Sequence, residues 1–190
     1  GGAFLDPGKR VPTVAEADVV VCGGGPAGVA AAISAARAGA KTRLIEVNGC
    51  IGGIWTAGLL SYFLDAGNKP GIMQEILDRL KPYEEGDRRV APMHDPEFTK
   101  RVLEEMCLDA GVEIQLHTQC SAAIRDASNR LALVVTESKS GREAVAGKVF
   151  IDCTGEGDVA HQAGCKWDYG RPETGDALPM SFIVLLTGIH

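Results

Sequence analysis

Residues 18–28 read DVVVCGGGPAG, and this stretch decides the fold. Its apolar start, rich in β-branched valine, is typical of a buried parallel strand over 18–22, and the glycines that follow predict a tight turn. Pro26 then stands in the first turn of a predicted helix that ends before Gly39, which are the positions that proline and glycine favour. A second strand-like run over 42–46 completes a strand–helix–strand unit.

The glycines of this stretch have the spacing G-x-G-x-x-G, at Gly23, Gly25 and Gly28. In that motif the first glycine permits the tight turn, the second lets the backbone approach a pyrophosphate, and the third lets the helix pack closely on the strand. Gly24 is a variable position of the motif. Because the N-terminus of the helix offers unpaired N–H groups to phosphates, the pattern predicts a dinucleotide site. The alternative is a glycine turn that only packs a helix on a sheet.

Glu46 ends the second predicted strand, at the distance of about 20 residues from the glycines that the dinucleotide fingerprint requires. An acid at this position accepts hydrogen bonds from a ribose and repels a 2′-phosphate. We therefore predict an adenosine-type dinucleotide without that phosphate. This prediction depends on the strand, the glycines and the acid together, since a strand-end acid by itself is more often only solvated.

The rest of the chain alternates between helical and strand-like patterns. Apolar residues at helical spacing predict one helix over 72–80 and another that has Asp95 as its N-cap and ends at Gly111. Four strand-like segments follow, and turn-like sequences separate the later ones. These segments span residues 112–119, 121–126, 130–138 and 144–152. The order indicates a mixed α/β domain with a meander of strands in its second half.

A second glycine-rich turn, IDCTGEGD at residues 151–158, follows the last of these strands. Taken by itself, it would be interpreted as an ordinary turn with a helix cap. Two such turns, each directly after a predicted strand, favour a single long ligand that contacts the backbone of both turns.

At this point the sequence resembles the FAD-dependent oxidoreductases of the glutathione-reductase-like fold, and within them a bacterial group related to fumarate reductase flavoproteins. The resemblance covers residues 18–190. It is carried by the segments DVVVCGGGPAGVAAAISAARAGAKTRLIE, GCIGGIWTAGL, HDPEFTKRVLEEMCLDAGVEIQLHT and KVFIDCTGEGDVAHQAG. It implies an α/β fold: a three-layer, Rossmann-like FAD-binding domain with a parallel sheet, helices on one face and a β-meander on the other, preceded by a lead-in segment over 1–17.

The resemblance also implies a separate contact for each part of an extended FAD. The first glycine turn would hold the pyrophosphate, and Glu46 the adenosine ribose. The loop over 52–56 would run beside the pyrophosphate and the ribityl chain, the backbone near Gln119 would meet the adenine, and the second turn would close over the nucleotide. The cofactor-binding residues implied in this way are Gly23, Gly25, Pro26, Ala27, Gly28, Glu46, Gly52, Gly53, Thr56, Cys120, Thr154 and Gly155.

The function that the resemblance implies is a flavoprotein oxidoreductase with FAD as its cofactor, a small organic molecule as its substrate and a separate electron acceptor. The sequence identifies no catalytic acid or base. Because the apolar run PMSFIVLLTGIH at 179–190 has no polar tail, we expect an incomplete FAD domain, with a substrate domain and a closing segment beyond residue 190. From the residues alone, an NAD-binding dehydrogenase domain and a non-catalytic nucleotide-binding module stay open as alternatives.

Composition excludes several other classes of protein. The net charge of −6 argues against a nucleic-acid partner, and the chain contains no run of 18 apolar residues that would predict a membrane span. The six cysteines form no C-x-x-C pair and the four histidines no pair at helical i, i+4 spacing, so no metal site is predicted. Cysteines within apolar runs favour reduced thiols and therefore a cytoplasmic location, and an original signal peptide stays open as an alternative.

Overall fold

A computed structural model describes residues 10–83, 93–184 and 186 of the chain. Residues 1–9 of the predicted lead-in and residues 187–190 of the predicted FAD domain lie outside this description. The strands are β1 Thr13–Cys22, β2 Thr42–Ile45, β3 Glu113–Gln115, β4 Gln119–Arg125, β5 Leu131–Ser138 and β6 Gly141–Asp152. The α-helices are α1 Pro26–Arg37, α2 Ile72–Leu80, α3 Pro96–Asp109 and α4 Asp158–Gln162, and short 3-10 helices span Gly53–Trp55, Ala66–Asn68 and Lys81–Tyr83.

The six strands form one mixed sheet in the order β3-β2-β1-β6-β5-β4. The pairs β3–β2, β2–β1 and β1–β6 are parallel. The pairs β6–β5 and β5–β4 are antiparallel and form a meander. Strand β6 belongs to both parts, because it pairs with β1 on one side and with β5 on the other. The predicted combination of a parallel sheet and a β-meander is confirmed, and the two parts are continuous through β6.

Two of the predicted strands differ most from the structure in their boundaries. Strand β1 begins at Thr13 instead of residue 18, because its first residues pair with the meander half of β6 and not with β2. The segment predicted as a strand over 112–119 ends at Gln115, where it pairs in parallel with β2 and lies outside the meander. The chain turns at His117, whose φ of +51° is incompatible with a strand.

Successive residues of β1 pack on opposite faces of the sheet. Val21 contributes to the core beneath helices α1, α2 and α3, whereas Val20 and Cys22 contribute to a second core with Val134 of β5 and Val145 of β6. The sheet therefore has helices on one face and the meander with α4 on the other, which gives the expected three layers. Complete burial of each of these valine side chains contributes about 1.5–3 kcal/mol to stability.

Local capping determines where the helices begin and end. Helix α1 starts with Pro26 directly after the glycine turn, and the chain leaves it through Gly39, which has a φ of +90°. Asp95 caps α3 by accepting hydrogen bonds from the backbone N–H groups of Glu97 and Phe98, as predicted. Within the part of the chain that the structure describes, no helix is long and apolar enough to cross a lipid bilayer.

Candidate cofactor site

A cleft of about 600 Å³ opens at the carboxyl ends of the neighbouring strands β2, β1 and β6. Ligands of open α/β sheets bind in this position. Most of the residues predicted to contact a cofactor line the cleft. These are Gly23, Gly25, Pro26, Ala27, Glu46, Gly53, Cys120, Thr154 and Gly155. The other three, Gly28, Gly52 and Thr56, lie behind the lining.

The two glycine turns are in direct contact at the floor of the cleft. Strands β1 and β6 pair up to Cys22 and Asp152, and the N–H of Cys153 donates to the carbonyl of Cys22 at 2.7 Å. Gly23 has a φ of +100°, and a Cβ at this position would collide with the carbonyl of Cys153. Glycine is therefore required here so that the turns can meet. Both turns therefore stand at the ends of neighbouring strands.

The other two motif glycines have opposite surroundings. A Cβ on Gly28 would collide with the carbonyl oxygen of Gly23, so this glycine lets α1 pack against the turn. A Cβ on Gly25 would meet nothing within 4 Å, because the residue faces the open cleft. A ligand can therefore come close to the backbone at Gly25, as the motif predicts for a pyrophosphate.

The N-terminus of α1 supplies the positive potential of the cleft. Gly25 is the N-cap residue, and no side chain caps the helix, so the N–H groups of the first turn are available to a phosphate. Among the described residues that line the cleft, none is lysine or arginine, whereas Glu46, Asp152 and Asp158 are acidic. We therefore expect backbone N–H groups and the helix dipole to bind an anionic ligand here.

Glu46 is 5% exposed and lines the cleft beside the first turn. Its Oε2 accepts a hydrogen bond from the N–H of Gly24 at 2.6 Å, and its Oε1 accepts from the backbone N–H and the side-chain amide of Asn48, both at 2.7 Å. A carboxylate offers about four acceptor positions. These three bonds leave one position, on Oε2, for a ribose hydroxyl, so the residue fits the role that the sequence predicts for it.

Gly24 is not a free position, which corrects the expectation from the motif. A Cβ on Gly24 would lie 3.0 Å from the Cβ and Oε2 of Glu46 and 3.0 Å from Cγ2 of Ile51. This spacing is tighter than ordinary van der Waals contact. Gly24 therefore lets the end of β2 and the following loop pack against the phosphate turn.

The loop after β2 supports the first turn, and only part of it faces the cleft. Gly53 lines the cleft, and a Cβ on it would lie 2.9 Å from Cα of Gly25. Gly52 donates its N–H to the carbonyl of Gly24 at 2.7 Å, and the completely buried Thr56 donates its hydroxyl to the carbonyl of Ile51 at 2.7 Å. Gly52 and Thr56 thus hold the loop from behind, and a direct cofactor contact by either of them stays a prediction.

Asp152 is a residue of the site that the sequence reasoning missed. One oxygen of its carboxylate accepts hydrogen bonds from the N–H and the hydroxyl of Thr154, and the other accepts from the N–H of Ala160 at 2.7 Å. Burial raises the pKa of Asp152, but the hydrogen bonds from Ala160 and Thr154 outweigh it, so the pKa lies below its ordinary value. An ionised Asp152 therefore fixes the second turn to α4. An acid directly before a glycine turn is the signal that could have identified it.

The far end of the cleft is formed by the connection between β3 and β4. The N–H of Thr118 donates to the carbonyl of Glu46 at 2.9 Å, which holds this connection against the end of β2. Cys120 lines the cleft and contacts Cys22 beneath it. The hydrogen bond with Cys120, together with burial, raises the pKa of the Cys22 thiol. All six cysteines are free thiols, and within the described ranges no group of three His, Cys, Asp or Glu side chains is arranged to hold a metal ion.

Comparisons with known proteins identify the family of this chain. Residues 18–189 match the family model described as FAD dependent oxidoreductase. The thiamine thiazole synthase of Saccharolobus islandicus is 32% identical over 177 residues, which cover 86% of this chain and 63% of that protein. The chain spans between 44% and 63% of the length of the curated relatives that it matches first.

Solved structures share the fold at low sequence identity. THI4 from Thermovibrio ammonificans superposes with a TM-score of 0.58 at 20% identity, over 80% of this chain and 64% of that one. A geranylgeranyl bacteriochlorophyll reductase-like protein from Thermoplasma acidophilum superposes with a TM-score of 0.56 at 22% identity, over 80% of this chain and 43% of that one. At these identities the likeness extends to the fold alone.

Proposed function

This chain belongs to the FAD-dependent oxidoreductase family, and we propose from its cleft that it holds the ADP half of FAD and provides the cofactor domain of a flavoprotein oxidoreductase. FAD is the cofactor of the family. When bound, its isoalloxazine ring supplies the capacity to take up a hydride or electrons from an organic substrate. The protein supplies binding and orientation.

Each part of the cleft has one task in this proposal. The backbone at Gly25 and the first turn of α1 bind the pyrophosphate, because no Cβ and no side-chain cap stand between them and the ligand. The remaining acceptor position of Glu46 binds a ribose hydroxyl. The second turn, held in place by Asp152, closes the cleft from the side of β6.

One observation carries the proposal: the acceptor position of Glu46 and the open backbone of Gly25 face the same cleft, on either side of Gly24. A glycine turn that only packs a helix would need neither an uncapped helix N-terminus nor a buried acid beside it. The arrangement therefore favours a ligand that joins a ribose to a diphosphate.

The substrate that we propose is a small organic molecule, and the electrons would pass to a separate acceptor. The lining of the described cleft contains no histidine, lysine or tyrosine that we could assign as a catalytic acid or base. We therefore propose that the groups acting on the substrate lie outside this cleft.

A second candidate function comes from the relatives. Proteins named thiamine thiazole synthase match this chain at 32% identity over 86% of its length, so formation of the thiazole of thiamine is the alternative reaction. Restored growth of a thiamine-requiring strain that lacks this enzyme would favour the alternative. The cofactor experiment that follows distinguishes an NAD-binding dehydrogenase domain, and a turnover screen of the full-length protein with oxygen or a dye as electron acceptor distinguishes a non-catalytic module.

The direct test is the identity of the bound dinucleotide. We expect the purified protein to show the flavin absorption band at about 450 nm, or to acquire it on addition of FAD. Parallel titrations with FAD and NAD give the preference, and Gly25→Val, which places a side chain in the cleft, is the control that should bind neither. A colourless protein that binds NAD more tightly than FAD would overturn the proposal.

A further inference from the structure

The orientation of the Glu46 carboxylate depends on one neighbouring side chain, that of Asn48. The amide group of Asn48 donates to Oε1 of Glu46 at 2.7 Å, and its backbone N–H donates to the same oxygen at 2.7 Å. Both acceptor positions of Oε1 are therefore occupied, and the carboxylate cannot rotate without losing a bond. This leaves Oε2 directed at Gly24 and the cleft.

The backbone around Asn48 is held independently of its side chain. The N–H of His117 donates to the carbonyl of Asn48 at 3.1 Å, and the N–H of Thr118 donates to the carbonyl of Glu46 at 2.9 Å. The ring of His117 also lies against Gly49, where a Cβ would come within 2.7 Å of it. A change of the Asn48 side chain therefore leaves the main chain fixed and acts on the Glu46 carboxylate and on the part of the cleft wall that Asn48 itself lines.

We propose that Asn48 is a positioning residue that determines how selectively the cleft recognises an adenosine ribose. The inference rests on the proposed function, since it assumes that Glu46 binds the ribose of the dinucleotide. Asn48 acts through Glu46: its amide fixes the carboxylate so that the remaining acceptor position meets a ribose hydroxyl. The chemical group that is recognised is the free 2′-hydroxyl of an adenosine diphosphate.

The physical basis is preorganisation. A carboxylate that is already oriented by Asn48 and Gly24 loses little conformational entropy when a ribose hydroxyl binds to Oε2. Without the amide of Asn48, only the backbone N–H orients Oε1, and the bond to the ribose weakens. The proposed diphosphate contacts at Gly25 and α1 do not involve Asn48. The affinity lost should therefore be the part that comes from the ribose hydroxyl.

The test compares two ligands that differ only at this hydroxyl. We would measure the Kd of ADP and of 2′-deoxy-ADP by calorimetry for the wild-type protein, Asn48→Ala and Asn48→Asp. The wild-type protein should prefer ADP by about tenfold or more, as expected for a hydrogen bond to a charged group. In Asn48→Ala we expect this preference to fall roughly 3- to 10-fold, with little change in the Kd of 2′-deoxy-ADP.

Asn48→Asp has the same shape but replaces the donor by a second carboxylate beside Glu46. The repulsion should weaken the preference at least as strongly as Asn48→Ala, and more at neutral than at acidic pH. Ser128→Ala, in the turn between β4 and β5, is the control and should keep the wild-type preference. Thermal unfolding of each variant verifies that it is folded at the temperature of the binding measurement.

The outcomes separate this inference from the proposed function. If both Asn48 variants keep the wild-type preference, or weaken both nucleotides equally, Asn48 has only a structural role and the inference is overturned, while FAD binding can still hold. A wild-type protein that does not distinguish the two nucleotides also overturns it. A wild-type protein that binds neither ADP nor FAD overturns the proposed function together with the inference.

Discussion

The Oε2 atom of Glu46 accepts a hydrogen bond from the backbone N–H of Gly24 at 2.6 Å. The acid expected to contact the ribose therefore also holds the turn expected to bind the pyrophosphate. This bond joins the two parts of the cleft, so a substitution at Gly24 should also alter the position of the Glu46 carboxylate, and a substitution at Glu46 should alter the glycine turn.

Gly24→Ala and Gly25→Ala should affect the protein in different ways. The added Cβ at Gly24 would press on Glu46 and Ile51, so we expect about 1–3 kcal/mol of lost stability together with weaker FAD binding. The Cβ at Gly25 would enter open space, so stability should stay the same while FAD binding weakens. Thermal unfolding and FAD titration measure the two effects, and an equal loss of stability in both variants would contradict this assignment.

Glu46→Ala should weaken both folding and binding. Loss of the carboxylate leaves the N–H groups of Gly24 and Asn48 without their acceptor, which costs about 1–3 kcal/mol of stability. Loss of the ribose contact should cost about 1.5–3 kcal/mol of FAD binding free energy. Glu46→Gln keeps the side-chain volume but loses one acceptor. Its stability and its affinity for FAD should lie between those of the wild-type protein and of Glu46→Ala. Unchanged calorimetric affinity in both variants would mean that Glu46 only supports the turn.

Asp152→Asn should loosen the second turn. The replacement turns one acceptor into a donor that faces the N–H groups of Thr154 and Ala160, and about 1–3 kcal/mol of stability should be lost. FAD binding should weaken with it, because this turn forms one wall of the cleft. Chemical denaturation and FAD titration are the measurements. A variant with wild-type affinity for FAD would show that this wall does not contact the cofactor.

Bound FAD should protect Cys153 from alkylation. Cys153 lines the cleft and is only partly buried, whereas Cys165 is exposed outside the cleft and serves as an internal control. Burial raises the pKa of Cys153, so its alkylation should already be slow and should become slower with FAD or ADP. Peptide mass spectrometry after maleimide treatment gives both rates. Equal protection of Cys165 would indicate a general change of the protein instead of a ligand in the cleft.

Glu75 should make the stability of the helical layer pH-dependent. Its carboxylate pairs with Arg37 of α1 and Arg79 of α2, and Arg79 also pairs with Asp109 of α3. The hydrogen bond from Arg37 holds the pKa of Glu75 below its ordinary value, so the stabilisation is complete above that value and is lost as the pH falls through the lowered pKa.

Glu75→Gln tests this network. The variant should lose about 0.5–1 kcal/mol of unfolding free energy at neutral pH and low salt. The difference from the wild-type protein should begin to fall near the ordinary glutamate pKa of about 4.3 and disappear below the lowered pKa of Glu75. Glu105→Gln removes an ion pair within a single helix and should cost only about 0.3–0.5 kcal/mol. Urea unfolding across pH gives both values, and a pH-independent loss in Glu75→Gln would contradict the prediction.

The sequence by itself determined the elements and the presence of the site. The valine run before Gly23, the proline and glycine at the ends of α1 and the Asp95 cap are local signals, because each reflects the dihedral angles or hydrogen bonds of a few consecutive residues. The motif glycines and Glu46 were predicted for the same reason: their spacing follows from one strand–helix–strand unit. The family resemblance added the cofactor, and the family match confirms it.

Only the tertiary structure decided how the parts of the site support each other. Gly24 is restricted by Ile51, Thr56 lies behind the loop instead of in the cleft, and Asp152 fixes the second turn. The link from Asn48 through Glu46 to Gly24 likewise appears only in the folded chain. The physical reason is that these contacts require segments brought together by packing of the sheet to be spaced correctly to within a few tenths of an ångström, and no local pattern of residues encodes such spacing.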